Sequence, residues 1–470
     1  MRPTNPKALK RKKTPAQPRR EREPDTVGRV RTVVLSPVLA PATRKPPAAG
    51  VPSAGDRSPT ARLEEAVGLA LALDLDIRAS GLVPVSRPKP GTLFGSGKVE
   101  ELEGLIRGEE AELVIVDHAL TPVQQRDLET AWNAKVLDRT GLILEIFGER
   151  ARTREGRLQV ELAHLVYQKS RLVRSWTHLE RQRGGHGFLG GPGETQIETD
   201  RRLISERIDV IRRELEQVRR TRALHRKSRE RVPYPTVALV GYTNAGKSTL
   251  FNALTGAGVL AENTLFATLD PTIRNLRLPG GTKAVLSDTV GFISDLPTTL
   301  IAAFRATLEE VQEANLILHV RDIADAATGS QREDVNAVLD ELGIDADEAP
   351  GRVLEVWNKA DLLEEAERRR VENEAQREEG AIVVSAVTGL GLDSLRSEIE
   401  QRLNRTRDVL RIELGPDEGS LANWIYENCE VVERSDLGDG VTALRIRIAP
   451  QKLHMLARLA GSARLGDAAE

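Results

Sequence analysis

The amino-acid sequence predicts an α/β protein built from several domains. Strands and helices alternate along two separate stretches, residues 30–138 and 232–404, and this pattern is typical of parallel α/β sheets. Between them, residues 139–231 repeat apolar side chains at the spacing of long helices. A chain of 470 residues is long enough for about three or four domains. We therefore expect two α/β domains separated by a helical segment, and a small α+β domain over 405–470.

Composition and charge exclude several classes of protein. A hydrophobic content of 40% supports buried cores, and 29% charged residues with a net charge of −2 indicate a soluble chain that is not polycationic. Cys429 is the only cysteine, which excludes internal disulfides and cysteine-based metal sites and favours a reducing compartment. No apolar run approaches the ~20 residues of a membrane helix, and no apolar signal segment follows the basic N-terminus. We therefore expect a cytoplasmic protein without membrane association.

The first domain is predicted to follow a basic arm. Residues 1–29 are rich in Pro, Lys and Arg and lack the apolar residues that offset the entropy of ordering, so we expect disorder. This arm is either a solubilising tail or a segment that contacts RNA. Over 30–138, with a flexible insertion at 42–60, we predict a small parallel α/β domain. Its expected strands are 30–37, 82–86, 113–117 and 135–138, and its expected helices are 62–75, 97–107 and 121–132.

Residues 139–231 are predicted to form two long antiparallel helices joined by a glycine-rich tip. The apolar seam has alternating spacings of three and four residues, interrupted by Lys169. Its members are Leu158, Leu162, Leu165, Leu172, Trp176 and Leu179, then Ile204, Ile208, Ile211, Leu215 and Val218. The second helix is dense in arginine, and six of the ten residues 184–193 are glycine. Two interpretations stay open, a basic probe that reaches between RNA phosphates and a solvated spacer.

The stretch 237–254 has the form of a phosphate-binding loop. Apolar residues 237–240 predict a buried strand, Gly241-x-x-x-x-Gly246-Lys247-Ser248 follows, and 249–254 continues with helical spacing. The two glycines let backbone N–H groups approach phosphate oxygens, and the helix N-terminus adds its dipole. Lys247 places a charge on the β- and γ-phosphates, and Ser248 places a hydroxyl on Mg²⁺. The sequence therefore predicts a P-loop that binds a nucleotide.

Residues 232–404 as a whole predict a doubly wound α/β domain, whose ligands bind where the strands end. The further strands are expected at 274–278, 283–288, 316–322, 352–358 and 382–385, and the helices at 298–311, 331–342, 362–378 and 392–403. In the tail we expect strands at 409–414 and 441–448, helices at 420–428 and 451–459, and a turn at 436–440.

Two segments after the P-loop are candidates for sensing the γ-phosphate. Asp288-Thr-Val-Gly291 follows a predicted strand, where Asp288 can hold Mg²⁺ through water and the N–H of Gly291 can meet the γ-phosphate. Thr268 lies in the loop 266–270 and can coordinate Mg²⁺ only while a γ-phosphate is present. The alternative for Thr268 is an ordinary surface threonine.

Two further segments predict the choice of base. Asn358-Lys-Ala-Asp361 follows a buried strand, and the carboxylate of Asp361 can accept both N–H groups of guanine, a pair that adenine lacks. Asn358 can bridge to the P-loop, and the stem of Lys359 can cover the face of the base. The backbone of 385–387 can close over the base oxygen. These segments favour GTP over ATP.

The five segments match the GTPase superfamily of P-loop proteins, and the chain more closely resembles the HflX family. The likeness is carried by 241–254, 265–272, 288–293 and 191–202, together with 138–144 and 158–162, and covers about residues 60–404. It implies a P-loop GTPase domain that hydrolyses GTP to GDP and phosphate. It also implies binding to the large ribosomal subunit and its ribosomal RNA, with dissociation of ribosomes or rescue of stalled ones. The family's N-terminal domain has also been linked to ATP.

The hairpin tip departs from the family pattern. Family members usually read Gly-Gly-Ile-Gly-x-Arg-Gly-Pro-Gly-Glu, and residues 184–194 read Gly-Gly-His-Gly-Phe-Leu-Gly-Gly-Pro-Gly-Glu, one residue longer and without the arginine. The resemblance implies that this tip reaches the peptidyl-transferase region. The departure concerns the detailed contact with ribosomal RNA and leaves the domain assignment as it is.

The expected site can now be stated by residue. The nucleotide is expected to contact Gly241, Tyr242, Thr243, Asn244, Ala245, Gly246, Lys247, Ser248, Thr249, Phe266, Ala267, Thr268, Leu269, Asp270, Asp288, Thr289, Val290, Gly291, Asn358, Lys359, Ala360, Asp361, Ser385, Ala386 and Val387. Lys247, Thr268 and Gly291 are the expected catalytic residues, and Ser248 and Thr268 the expected Mg²⁺ ligands.

Hydrolysis is expected to be slow in the free protein. Ras-like GTPases place a glutamine directly after the glycine of Asp-x-x-Gly, and here that residue is Phe292. Asn244 resembles the asparagine with which some such GTPases bind K⁺ beside the phosphates. We expect a monomer that is stimulated by the ribosome. Two alternatives stay open, a GTPase that acts on another RNA or assembly particle and a non-enzymatic RNA-binding scaffold with a structural GTP site.

Overall fold

The structure of the protein is a computed structural model. It describes residues 29–40, 58–182, 192–229, 234–256, 266, 272–294, 305–344, 351–377, 381–405, 408–438, 440–448, 450–460 and 466–467. Within these residues, no helix combines the length and apolar character that crossing a membrane requires.

The N-terminal residues form a parallel four-stranded sheet, as the strand–helix alternation predicted. Its strand order is β2-β1-β3-β4. The elements are β1 (Arg31–Leu39), α1 (Pro59–Leu71), β2 (Asp76–Val85), α2 (Ser96–Gly108), β3 (Leu113–Val116), α3 (Pro122–Trp132) and β4 (Lys135–Asp138). Two predicted bounds were wrong, because Ser58 caps α1 inside the expected insertion and β2 begins well before 82.

The helical segment contains three described helices where the sequence predicted two. They are α4 (Arg139–Arg150), α5 (Arg154–Gln182) and α6 (Pro192–Arg229). Asp138 caps α4, and the extended backbone of Ala151 separates α4 from α5. Helices α5 and α6 pack along each other, with Ile208 and Ile211 buried. Residues 184–191 of the expected tip lie outside the described residues, and its last two residues, Pro192 and Gly193, begin α6.

The second α/β unit is a six-stranded sheet of order β10-β9-β8-β5-β7-β6. Its strands are β5 (Thr236–Gly241), β6 (Thr272–Arg277), β7 (Lys283–Asp288), β8 (Leu316–Asp322), β9 (Val353–Asn358) and β10 (Ala381–Val383). Its helices are α7 (Lys247–Thr255), α8 (Arg305–Gln312), α9 (Thr328–Glu341), α10 (Glu365–Arg377) and α11 (Leu392–Arg405). The predicted strands are confirmed, and edge strand β6 is antiparallel to β7. The predicted helix 362–378 is replaced by a 3-10 turn, Ala360–Leu362, followed by α10.

The C-terminal residues form an antiparallel sheet of order β12-β13-β11-β14. Its elements are β11 (Asp408–Leu414), α12 (Gly419–Asn428), β12 (Glu430–Gly438), β13 (Val441–Ile448), α13 (Pro450–Ala460) and β14 (Gly466–Asp467). The sequence predicted a turn over 436–440 and missed β12. That strand carries mostly exposed side chains and therefore lacks the apolar alternation of a half-buried strand.

The first two units share one hydrophobic core. A single buried cluster joins Phe147 of α4 to Val240 of β5, Phe266, and Phe292 after β7. The rings of Phe147 and Phe266 meet edge to face with centroids 4.7 Å apart. The N-terminal unit therefore packs directly against the loops in which the sequence places the nucleotide.

Candidate nucleotide-binding site

The P-loop lies between a fully buried strand and the start of a helix. Residues Val237, Ala238, Leu239 and Val240 of β5 have no solvent-exposed surface, and α7 begins at Lys247. Gly246 has φ of +89°, and a Cβ there would lie 2.3 Å from Asn358 Nδ2. Only glycine fits at this position, because the backbone is left-handed and the neighbouring amide occupies the space of a side chain.

Lys247 is held by carbonyl groups of its own loop. Its Nζ donates to the carbonyls of Gly241, at 3.1 Å, and Tyr242, at 2.7 Å. Burial lowers the pKa of this ammonium to about 8, and the nearby carboxylate of Asp288 partly opposes the shift. A phosphate placed on Lys247 would raise this pKa again, because an opposite charge at close range stabilises the charged form.

Ser248 and Asp288 bring oxygen ligands together beside Lys247. The Ser248 hydroxyl donates to Asp288 Oδ2 at 2.7 Å, and Asp288 is completely buried. Hydroxyl and carboxylate oxygens are ligands that Mg²⁺ prefers. Among the residues that the structure describes, no group of three or more His, Cys, Asp or Glu can hold a metal ion.

The segment 288–291 is tied to the P-loop through backbone hydrogen bonds. Phe292 N donates to the Gly241 carbonyl at 3.0 Å, and Thr243 N donates to the Phe292 carbonyl at 2.7 Å. A Cβ on Gly291 would lie 2.9 Å from Thr243 Cα and 3.0 Å from Lys247 Nζ. Gly291 therefore lies against the lysine that the sequence assigns to the γ-phosphate. Thr289 is buried and its hydroxyl donates to the Leu239 carbonyl at 2.5 Å.

Asn358 connects the P-loop to the two loops expected around the base. Its Nδ2 donates to the Ala245 carbonyl at 2.9 Å, and its Oδ1 accepts from Ala386 N at 3.0 Å. Ser385 Oγ donates to Asp361 Oδ1 at 2.6 Å, which orients the carboxylate expected to recognise guanine. These hydrogen bonds connect the three loops, and Val387 is 76% exposed at their rim.

Some of the expected residues have no described position. Ala267, Thr268, Leu269 and Asp270 lie outside the described residues, so the expected role of Thr268 stays a prediction. Phe266 is described, with φ of +58° and 2% exposure. The remaining expected residues lie on the P-loop, at the end of β7, and after β9 and β10, at one edge of the sheet.

The sequence reasoning missed three side chains that contact this site. Asp322, at the end of β8, forms an ion pair of 2.7 Å with Lys359. Its position at a strand end was a usable signal. The side chains of Ser294 and Glu65 both hydrogen bond to the hydroxyl of Tyr242. Glu65 comes from α1, and no local pattern links it to the P-loop.

Comparisons with known proteins point to one family. Family models match the N-terminal region of GTP-binding GTPases over 60–148, their middle region over 150–229, a 50S ribosome-binding GTPase over 236–359 and an HflX C-terminal domain over 370–469. The GTPase HflX of Magnetococcus marinus is 53% identical over 394 residues, covering 84% of this chain and 89% of the relative. The chain belongs to the HflX family of GTPases. The GTPase HflX of Escherichia coli is 47% identical over 361 residues, covering 77% and 83% of the two chains.

The resemblance drawn from the motifs is thereby confirmed, and it extends into the C-terminal sheet. A solved GTP-binding protein of Sulfolobus solfataricus in complex with GDP is 22% identical, with 80% of this chain and 99% of that chain covered at a TM-score of 0.42. As a member of the HflX family with a P-loop GTPase fold, this protein binds GTP and is a GTP hydrolase.

Proposed function

We propose that this HflX-family GTPase binds the large ribosomal subunit and promotes the dissociation of ribosomes or the rescue of stalled ones. The observation that carries the proposal is the family model of a 50S ribosome-binding GTPase over the P-loop domain. The helical hairpin supplies a candidate contact, because α5 and α6 extend from the unit that packs against the nucleotide loops. We place this monomeric GTPase in the cytoplasm, where ribosomes work.

At the nucleotide, each loop has a separate task. Lys247 and the N–H of Gly291 contact the γ-phosphate, and Thr268 completes the site when GTP is bound. Asp361, held by Ser385, accepts the N–H groups of guanine, while Lys359, held by Asp322, covers the base. Hydrogen bonds between these loops support the proposal, because they hold the contacting groups in fixed relative positions.

Mg²⁺ fits beside the P-loop on the chemistry of the residues present. Ser248, and Thr268 in the GTP state, would be its direct protein ligands, and Asp288 would hold it through water. When bound, the ion supplies positive charge that stabilises the transferring phosphoryl group. The chain's own contribution is to orient the phosphates with Lys247 and the backbone N–H groups of the P-loop.

The hairpin is proposed as the part that contacts ribosomal RNA. Arg201, Arg202 and Arg213 on α6 are exposed, which suits a helix that neutralises phosphates. Arginines of α6 also pair within the helix, as Arg202 does with Glu206 at 3.8 Å and Arg220 with Glu216 at 3.4 Å. Such pairs are equally typical of a solvated spacer. The RNA-probe and spacer interpretations predict different effects when the tip is deleted, because only a probe would lose its contact with the ribosome.

Sedimentation tests the proposal directly. The protein is centrifuged through sucrose with ribosomes, with GTP or a non-hydrolysable analogue, and the subunit peaks are recorded. We expect the protein to travel with the large subunit and to convert whole ribosomes into subunits, and binding should weaken as salt rises. Deleting residues 184–193 should abolish both effects while GTP affinity is retained. Dissociation by the deletion variant as complete as by the parent would show that the hairpin is a spacer.

A different particle remains the alternative target. A GTPase that acts on another RNA or assembly particle would hydrolyse GTP but would stay at the top of the gradient when mature ribosomes are supplied. Sedimentation with immature ribosomal particles or with other cellular RNA would then reveal the target. Multiple-turnover phosphate release, measured in parallel, verifies that each preparation is an active GTPase.

A further inference from the structure

The N-terminal unit extends a partly buried carboxylate toward the nucleotide domain. Glu65 lies on α1, and its side chain is 13% exposed. The hydroxyl of Tyr242, the residue that follows the first glycine of the P-loop, donates to Glu65 Oε2. Tyr242 is itself 5% exposed. A hydrogen bond to a charged acceptor in such surroundings is among the stronger ones that proteins form.

The same carboxylate is fixed by an arginine at the head of α4. Arg139 Nη2 donates to Glu65 Oε1 at 2.5 Å, and Nη1 donates to Asp117 Oδ1 at 2.5 Å. Burial alone would lower the pKa of Arg139, but the carboxylates of Asp117 and Glu65 outweigh it and raise the pKa. The guanidinium stays charged and fixes the orientation of the Glu65 carboxylate.

A third segment joins this network, the loop that follows Asp-x-x-Gly. Ser294 N donates to the Tyr242 hydroxyl at 2.9 Å, and Arg139 Nη2 donates to the Ser294 carbonyl at 3.0 Å. The Ser294 hydroxyl donates to Asp334 of α9 at 2.7 Å. Ser294 stands three residues after Gly291, so the segment expected to sense the γ-phosphate is anchored to the N-terminal unit at its far end.

The hydroxyl of Tyr242 therefore connects the N-terminal unit with both phosphate-contacting loops. The carbonyl of Tyr242 accepts from Lys247 Nζ at 2.7 Å, so a shift of this residue also shifts the lysine. Small displacements at a reacting centre lower rates strongly, because catalysis depends on the placement of charge.

We propose that Glu65 is a positioning residue for GTP hydrolysis, which the N-terminal unit supplies to the P-loop through Tyr242 and to the Asp-x-x-Gly loop through Arg139 and Ser294. The proposal rests on the nucleotide-site residues assigned under the proposed function and is independent of the ribosome. Because the two units are coupled through these hydrogen bonds, a movement of the N-terminal unit relative to the nucleotide domain also changes the placement of Lys247 and Gly291.

The test is a double-mutant cycle on the free full-length protein. The variants are Glu65→Ala, Tyr242→Phe and the pair combined, with Glu65→Gln as the conservative variant and Glu64→Ala as the matched control. Glu64 is the exposed neighbour on the same helix. For each protein, the GTP turnover number, the KM for GTP and the release rate of GDP are measured well below the thermal unfolding midpoint.

We expect Glu65→Ala and Tyr242→Phe each to lower GTP turnover by about tenfold, as expected for loss of a hydrogen bond to a charged group. The combined variant should lose no more than Glu65→Ala alone, because both substitutions break the same bond. Glu65→Gln keeps an acceptor oxygen and should recover most of the activity. Glu64→Ala should match the parent.

Two outcomes would overturn the proposal. The first is that the losses of GTP turnover in Glu65→Ala and Tyr242→Phe add up in the combined variant, and the second is that turnover and GDP release are unchanged in Tyr242→Phe. The second outcome decides the question even if Glu65→Ala fails to fold, since Tyr242→Phe removes a single oxygen atom. A lowered unfolding midpoint with parental kinetics would show a purely structural contact. A parent protein that binds no GTP would instead refute the nucleotide site, and a parent that ignores ribosomes leaves the cycle unaffected.

Discussion

Asn358 offers the sharpest test of how the nucleotide site is held together. The substitution Asn358→Ala removes the donor to the Ala245 carbonyl and the acceptor for Ala386 N. Asn358 is 1% exposed, so water cannot readily replace it. A buried group left without a partner costs about 1–3 kcal/mol, and two such groups cost about 2–6 kcal/mol of folding stability.

The affinity for GTP should fall for a different reason. The three loops that Asn358 connects would become mobile, and fixing the backbone of each released residue again costs roughly 1–2 kcal/mol. Reordering even one residue on binding lowers the affinity by about tenfold. Asn358→Asp sharpens the test, because it keeps the acceptor for Ala386 N but turns a carboxylate oxygen toward the carbonyl of Ala245.

Thermal unfolding and fluorescent-nucleotide titration are the assays, with Asn275→Ala on the exposed face of β6 as the control. We expect Asn358→Ala to unfold several degrees below the parent and to bind GTP at least about tenfold more weakly. Asn358→Asp should be no better than the alanine variant, and Asn275→Ala should match the parent. A variant Asn358→Ala with parental unfolding and parental affinity would refute this account of the site.

Three further predictions concern base, charge and ion. Asp361→Asn should lose GTP affinity and gain affinity for xanthine nucleotides, and competition binding with unchanged GTP affinity would contradict this. GTP affinity should be flat below pH 8 and fall above it by at most about tenfold per pH unit, because the pKa of Lys247 is about 8 before binding and phosphates raise it. Titrations between pH 7 and 9 check this, with Lys247→Arg, which stays charged, as the control, and a flat profile for the parent would contradict it. Asn244→Ala should remove faster GTP hydrolysis in K⁺ than in Na⁺ while binding GTP normally, and turnover of the parent that is equal in both ions would rule out the K⁺ site.

Much of the site could be predicted because its parts lie at strand ends. In a parallel sheet these ends share one edge, so the motifs after β5, β7 and β9 had to meet in space. The same reasoning would have included Asp322, which follows β8 and pairs with Lys359. Local sequence motifs were enough to predict which residues meet at this edge, because binding a phosphate or a base requires particular residue types at fixed spacings.

The contacts between units could not be predicted in this way. Glu65 and Tyr242 are far apart in the chain, and an ordinary glutamate on an amphipathic helix carries no sign of a distant partner. The boundary between α4 and α5 was missed because Ala151 ends α4 without a glycine or proline. Strand β12 was missed because exposed side chains leave only backbone hydrogen bonds to define it.

The arrangement of α4 and α5 makes the hairpin a lever. Helix α4 packs into the core shared with the nucleotide domain, and α5 begins four residues after α4 ends and runs for 29 residues. At 1.5 Å per residue, α5 is roughly 44 Å long, so a rotation of about 5° at its base would displace its far end by roughly 4 Å. Adjustments of a fraction of an ångström around a phosphate would be too small to separate the ribosomal subunits on which we propose that this protein acts. A rigid arm of this length would turn them into displacements comparable to the diameter of a water molecule or a side chain.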